Sequence, residues 1–377
     1  MTIQLPTLHD AGNIRGKRVL LRLDLNLSIA RGKVTDTFRL DRVAETLSFL
    51  QKNGARTLVV SHLENKDSTE PEPLLPVYEV FQERVKSVFA KTFEDAKEAL
   101  SEIAEGSFVF LENIRTWPGE KKNDPDFAKQ LASLVDIYVN DAFAVSHRAH
   151  ASIVGVPRYL PCFAGFLFAE EVTELSKAFN PAEPSLVILG GAKFETKMPL
   201  VQRFLGGADT VAVCGALAND IYRSRGYETG TSLVSDPPLD LTTVTENRKL
   251  YVPVDVLVHS GKETKNAGAD SVLPDEKIVD AGPNSLEDLR AHIEKASFIL
   301  WNGPLGEYEM GFAEGTTAIA QAIAESDAES IVGGGDSLTL ISKLGLLERF
   351  SFVSTGGGAM LEFLANETLP GILALQK

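Results

Sequence analysis

Short apolar runs, most of them β-branched or leucine-rich, recur along the chain and alternate with segments whose apolar positions repeat at helical spacing. The runs are RVLLRLD, TLVVS, FVFLE and DIYVN in the first half, then SLVILG, TVAVCG, LYVPV, SFILW, SIVGG and FSFVS. Alternation of this kind predicts parallel α/β sheets. Between the two sets lies FAEEVTELSKAFN, Phe168 to Asn180, apolar at helical spacing and closed by Asn180-Pro181. The pattern predicts an α/β protein of two Rossmann-like parallel-sheet domains joined by an interdomain helix. A ligand cleft is expected between the carboxyl ends of the strands.

A length of 377 residues exceeds what one hydrophobic core usually supports, which agrees with two domains. The formal net charge is −15, and no Lys/Arg run is long enough for a nucleic-acid tail or a membrane patch. Neither nucleic acid nor a membrane is an expected partner. A site for an anionic substrate must then be locally basic, so individually placed Arg and Lys residues become informative. Cys162 and Cys214 form no CxxC motif, and two buried thiols in a reducing compartment are expected. The N-terminal MTIQLPTLHDAG has no apolar signal core, and the longest apolar stretch, Leu160 to Ala169, is too short to span a bilayer. The chain reads as cytoplasmic and soluble.

Three glycine clusters each follow an apolar run and precede a helix-like segment: Gly190-Gly191-Ala192-Lys193, Gly333-Gly334-Gly335-Asp336 and Gly356-Gly357-Gly358. Strand, glycine turn and helix start bring free backbone N–H groups and a positive helix end onto an anion, although glycine also simply makes turns. Lys193 and Lys197, four apart, share one face of a helix that begins near the first cluster, where they can grip a polyphosphate or stand as solvated lysines. The loop WNGPLGEYE, with Asn302, Pro304 and Glu309, either holds a ribose or adenine or is a tight connection. Asp336 is a natural helix N-cap and equally a ligand for Mg²⁺ beside phosphates.

In the first half, LLRLDLNLS alternates so that a strand puts Arg22, Asp24 and Asn26 on one face. A half-exposed edge strand explains the same pattern. The position of Asp24 and Asn26 at the strand's end, where α/β folds gather ligand groups, favours a site. Arg39, Arg115, Arg148 and His62 sit near strand ends or in loops. Each arginine alone fits a surface ion pair, whereas several on one surface suit a small, multiply charged substrate. His147 and His150 lack the carboxylate or cysteine that would complete a metal site. There is no GxxxxGK[ST], no GxGxxG after a strand and no HRD/DFG pair, which argues against P-loop, dinucleotide-dehydrogenase and protein-kinase chemistry.

The segments RLDLN, SHL, LEN-I-R, GEKKNDP, DAF, HRAHAS, GGAK, WNGP-L-G-E-Y-E, GGGDS and STGGGA occur in the order found in phosphoglycerate kinases, and over essentially its whole length the chain resembles that family. The resemblance implies reversible phosphoryl transfer between 1,3-bisphosphoglycerate and ADP, giving 3-phosphoglycerate and Mg-ATP, by a cytoplasmic monomer with hinged domains. It implies a triose domain of residues 1–167 completed by 366–377, a linking helix 168–180 and a nucleotide domain 181–365. Asp24 and Asn26 would contact the glycerate, and Arg39, His62, Arg115 and Arg148 its phosphate or carboxylate. The nucleotide would be held by Gly191, Lys193, Lys197, Gly215, Asn302, Pro304, Glu309, Gly334, Gly335, Asp336 and Ser337, with Asp336 on Mg²⁺. Arg39, Lys193 and Gly357 would attend the moving phosphoryl group.

One departure bears on the substrate. Glu64-Asn65-Lys66 stands where the family has Gly-Arg-Pro, so a phosphate-binding arginine is missing and Glu64 is expected to repel the substrate. Ser28, Thr196 and Cys214 are milder departures. The substitution leaves open a nucleotide-binding homologue with a decayed or altered substrate pocket.

Overall fold

The computed structural model describes residues 3–64, 71–192, 194–261 and 263–376, and only the backbone of Glu195 and Thr196. Asn65, Lys66, Lys193 and the Thr196 side chain, all named above, lie outside it. The chain divides into two compact units, Met1–Thr173 with Thr368–Lys377, and Glu174–Glu367. The division falls within the helix Phe166–Ser176, which begins before Phe168 and passes into a 3-10 turn at Lys177–Phe179. Among the described residues, no helix is long and apolar enough to cross a membrane.

The first unit is built on a six-stranded parallel sheet in the order Ser87–Ala90, Phe108–Leu111, Arg56–Val60, Arg18–Leu23, Ile137–Asp141, Cys162–Ala164. The strand Arg18–Leu23 is central, and Arg22 within it is fully buried, so the half-exposed edge reading falls. The strand also ends earlier than its alternation suggests. Beyond Leu23 the backbone turns to side chains for its partners: Leu25 N donates to Ser61 Oγ at 2.9 Å and Asn26 N to Asp24 Oδ1 at 3.2 Å. Such local bonds compete with the sheet ladder. Asp24 and Asn26 therefore sit in a loop past the strand's carboxyl end. Leu21, Leu23, Leu25 and Leu27 nevertheless all enter one core with Leu47, Val59 and Phe110. Each buried leucine contributes on the order of 1.5–3 kcal/mol, so this loop is anchored by burial as well as by hydrogen bonds.

The second unit has a six-stranded parallel sheet in the order Leu250–Tyr251, Thr210–Val213, Ser185–Leu189, Phe298–Asn302, Glu329–Gly333, Phe352–Val353. A separate antiparallel sheet, Glu263–Gly268, Asp255–Ser260, Lys277–Ala281, was not foreseen from the sequence. All three glycine clusters lie between a strand and a helix of this unit, the helices being Phe194–Gly207, Gly335–Lys343 and Gly358–Asn366. Asp336 is not the N-cap. Gly334 takes that position at φ +104°, which a side chain rarely adopts, and Asp336 falls in the first helical turn. Neither cysteine is in a disulfide; Cys214 is buried as expected, whereas Cys162 is only half-buried because it lies on the edge strand.

Candidate functional site

The carboxyl end of the first sheet gathers a basic cluster. Arg22, fixed by the central strand, donates from Nε to Ser152 Oγ at 2.9 Å and from Nη1 to the Leu23 carbonyl, and its Nη2 lies 3.4 Å from His62 Nδ1. Arg39, on the helix Phe38–Arg42, pairs with Asp24 Oδ2, and His62 Nδ1 is 3.8 Å from Asp24 Oδ1. Arg115 sits in the 3-10 turn Ile114–Thr116, whose first N–H groups are capped by Asn113; Arg115 N donates to Asn113 Oδ1 at 3.1 Å. Asp24, Arg39, His62, Arg115 and Arg148 are thus tied together by direct contacts or by mutual electrostatic influence. Asn26 joins them through the backbone, its Oδ1 accepting from Glu64 N at 3.0 Å.

Burial sets the protonation of this cluster. His62 is held well below the usual histidine range, first by desolvation and then by Arg22, Arg115, Arg148 and Arg39. It is neutral at pH 7. Since Arg22 can only donate, its contact favours Nδ1 as the acceptor and the proton on Nε2. Arg115 is pushed down to about 9 by desolvation, then by Arg148 and Arg22. Among the described residues its Nε, Nη1 and Nη2 have no hydrogen-bond acceptor; the contact of Nη1 with Glu64 Oε1 is an ion pair without hydrogen-bond alignment. Buried guanidinium donors in this condition mark a place where an acceptor-rich anion belongs.

Two carboxylates temper the charge. Glu120 is buried, accepts from Ser152 N at 2.8 Å and Ser152 Oγ at 2.6 Å, and has its pKa raised by burial against the pull of Arg22. Glu64, expected to repel a substrate, instead meets the cations: Arg115, Arg148 Nη1 at 3.4 Å and Lys121 Nζ at 3.7 Å. Arg22, Glu120 and Lys121 were not singled out as site residues from the sequence, although GEKKNDP contains the last two.

In the second unit, the first glycine turn and the WNGP loop are stitched together. Gly190 N donates to Asn302 O and Gly191 N to Pro304 O, both at 2.9 Å. A Cβ at Gly190 would stand 2.2 Å from the Pro304 carbonyl oxygen, so this close approach requires glycine. Lys197 is buried on the helix behind the turn, where Nζ donates to Gly190 O at 2.5 Å and approaches Asn302 O at 3.4 Å. Gly215, at φ +60°, caps the helix Ala216–Ser224 beside this floor.

Gly191, Gly215, Pro304, Glu309 and Asp336 line a cavity of about 360 Å³ whose far wall is apolar, with Leu233, Val256 and Ile278. Lys197 and Asn302 lie behind this lining. Of Gly334, Gly335, Asp336 and Ser337, the lining includes Asp336. Ser337 is buried with its Oγ unpartnered among the described residues, and Gly357 caps the helix Gly358–Asn366 at φ +51°. Glycine turns opening helices, next to an apolar slot, suit an anionic group carried on a flat, apolar body.

Comparison with known proteins agrees with this chemistry. A family model described as Phosphoglycerate kinase matches residues 8–367. A curated Phosphoglycerate kinase from Rubrobacter xylanophilus is 41% identical over 378 residues, covering 96% of each chain. One from Thermosipho africanus is 41% identical over 391 residues, covering 98% of this chain and 97% of that protein. The solved structure of phosphoglycerate kinase from Coxiella burnetii superposes with a TM-score of 0.85 at 35% identity, covering 99% of both chains. That of Pyrococcus horikoshii OT3 gives 0.87 at 32% identity over 99% of this chain and 98% of the other.

Proposed function

The chain belongs to the phosphoglycerate kinase family, and from that premise we propose how its residues divide the work of one reaction. The protein is a phosphotransferase of glycolysis that exchanges a phosphoryl group between 1,3-bisphosphoglycerate and ADP, giving 3-phosphoglycerate and ATP. Asp24 and Asn26 hold the glycerate part; Arg39, His62, Arg115 and Arg148 take its phosphate or carboxylate. Gly191, Lys193, Lys197, Gly215, Asn302, Pro304, Glu309, Gly334, Gly335, Asp336 and Ser337 serve the nucleotide. The observation that carries this assignment is Arg115, a buried guanidinium whose Nε and Nη2 have no hydrogen-bond acceptor among the described residues and whose Nη1 is ion-paired with Glu64, set among further arginines.

In the direction of acyl-phosphate formation, a carboxylate oxygen of 3-phosphoglycerate attacks the γ-phosphorus as the bond to the β–γ bridging oxygen breaks. No proton needs to move, because the carboxylate is already ionised at neutral pH. Catalysis then consists of alignment and charge neutralisation. Arg39, Lys193 and the Gly357 N–H supply neutralisation at the moving group. Neutral His62 donates from Nε2 without adding charge. Asp336, exposed and without a partner among the described residues, fits Mg²⁺, which takes one or two carboxylates and keeps its waters. The ion, when bound with the nucleotide, offsets charge on the phosphate oxygens.

We take the enzyme to be a cytoplasmic monomer; its two thiols, neither in a disulfide, suit a reducing compartment. A homologue with a decayed substrate pocket finds no support in the relatives, and Arg22, Arg39, Arg115 and Arg148 are present despite the missing arginine. ATP consumption with and without 3-phosphoglycerate tests the reading. Saturable stimulation by the triose is expected, and its absence from folded, ADP-binding protein would overturn it.

A further inference from the structure

Glu64 is placed against the substrate cluster by more than its own charge. Its backbone N–H is held by Asn26 Oδ1 at 3.0 Å, and the preceding Leu63 carbonyl accepts from Asn113 Nδ2 at 2.8 Å. These bonds deliver one carboxylate to three cations from separate elements: Arg115, buried, and Arg148 and Lys121, both partly exposed. Oε1 takes Arg115 and Lys121 while Oε2 takes Arg148, a spread of contacts like that of a bound anion. Glu64 itself is 36% exposed, so its side chain has room to leave by rotating about its own bonds while the backbone stays pinned.

We propose that Glu64 is an affinity- and charge-selecting residue, an internal carboxylate that competes with the substrate's anionic group for Arg115, Arg148 and Lys121. The proposal rests on reading this cluster as the substrate's phosphate or carboxylate site. A singly charged ligand group exchanges one carboxylate for another and gains little. A phosphate dianion brings more charge and more acceptor oxygens to the fork of Arg115, and wins the exchange. Glu64 thereby weakens binding of every anion, and weakens monoanions to the point of exclusion.

The test compares wild type with Glu64→Gln, which keeps the side-chain shape and removes the charge. Calorimetric titration with inorganic phosphate and with acetate is run beside steady-state kinetics, and thermal melts establish that both proteins are folded. Glu64→Gln is expected to lower the Kd for phosphate and the KM for 3-phosphoglycerate by about tenfold, the effect of losing one partly exposed competing charge. Acetate binding should become measurable only in the variant, while kcat and the KM for ATP stay within about twofold. The gain should shrink at high salt, as screening requires. An unchanged or higher phosphate Kd would overturn the proposal, since Glu64 would then be a bystander or a support for the arginines. Tighter phosphate binding without triose-dependent turnover in either protein would uphold the role of Glu64 and defeat the kinase reading. Normal turnover with unchanged Kd and KM would do the reverse.

Discussion

Arg22 Nη2 lies 3.4 Å from His62 Nδ1, with both side chains buried; burial and then the arginine keep the imidazole neutral, and the contact favours the proton on Nε2. The consequence for stability has a definite sign. The folded pKa of His62 is depressed while the unfolded value stays near 6.5, so the unfolded chain binds more protons below that pH and acid destabilises the fold. Replacing His62 by Gln removes this one contribution. The cost of His62→Gln in unfolding free energy, measured by denaturant titration, is expected to shrink by about 1 kcal/mol between pH 7.0 and pH 5.5. A pH-independent cost would mean that His62 is not held neutral.

In the proposed assignment Arg115 serves binding at the expense of folding. Its guanidinium is buried among like charges and lacks hydrogen-bond acceptors among the described residues. Arg115→Met removes a buried charge whose desolvation and like-charged neighbours outweigh its ion pair with Glu64, and keeps much of the volume. The expected result is a ten- to hundredfold rise in KM for 3-phosphoglycerate, corresponding to a lost charge-assisted contact of about 1.5–3 kcal/mol. The melting temperature should stay level or rise. A fall in melting temperature with unchanged KM would assign Arg115 to the scaffold.

Lys197 ties the first glycine turn to the WNGP loop through the carbonyls of Gly190 and Asn302. Lys197→Met leaves those carbonyls without this donor, at a cost of about 1–3 kcal/mol in stability. ADP affinity should fall at least about tenfold as the floor loosens and a cation is lost. Calorimetric titration with ADP, beside thermal melts, checks both.

Asp336 offers a different signature. It sits in the first turn of the helix Gly335–Lys343 and lines the cavity proposed for the nucleotide. Asp336→Asn should change stability by less than about 1 kcal/mol, the usual worth of a charge at an exposed helix start. Binding of ADP without magnesium should be unaltered or tighter, because a negative charge beside the phosphates has gone. The enhancement of ADP binding by Mg²⁺ should be largely lost. Retained enhancement would move the metal site elsewhere.

Much of the architecture was legible because apolar runs such as SLVIL and FILWN became strands buried along their whole length, although LYVPV and FSFVS gave only short edge strands. The antiparallel sheet was not legible. Its strand Glu263–Gly268, ETKNAG, is polar and largely exposed, with no alternation for a pattern to reveal. Asp24 and Asn26 were read as continuations of a strand that in fact ends at Leu23, since side-chain hydrogen bonds diverting the backbone leave no periodic trace. The placement of Glu64 was least accessible. Its partners Arg115 and Arg148 are distant in the chain, and only the fold decides that this acidic residue lands on those cations.

The account as a whole is tested most directly by following the transferred phosphoryl group. Incubation with γ-labelled ATP, 3-phosphoglycerate and Mg²⁺, with hydroxylamine present to trap acyl phosphate by displacing its phosphate, should yield hydroxamate and labelled inorganic phosphate in equal amounts, and only when both substrates are added. Arg39→Ala should suppress it at least about hundredfold, as loss of a charge that stabilises the moving group implies. Release of inorganic phosphate without hydroxamate, or hydroxamate formation that Arg39→Ala leaves intact, would contradict the account.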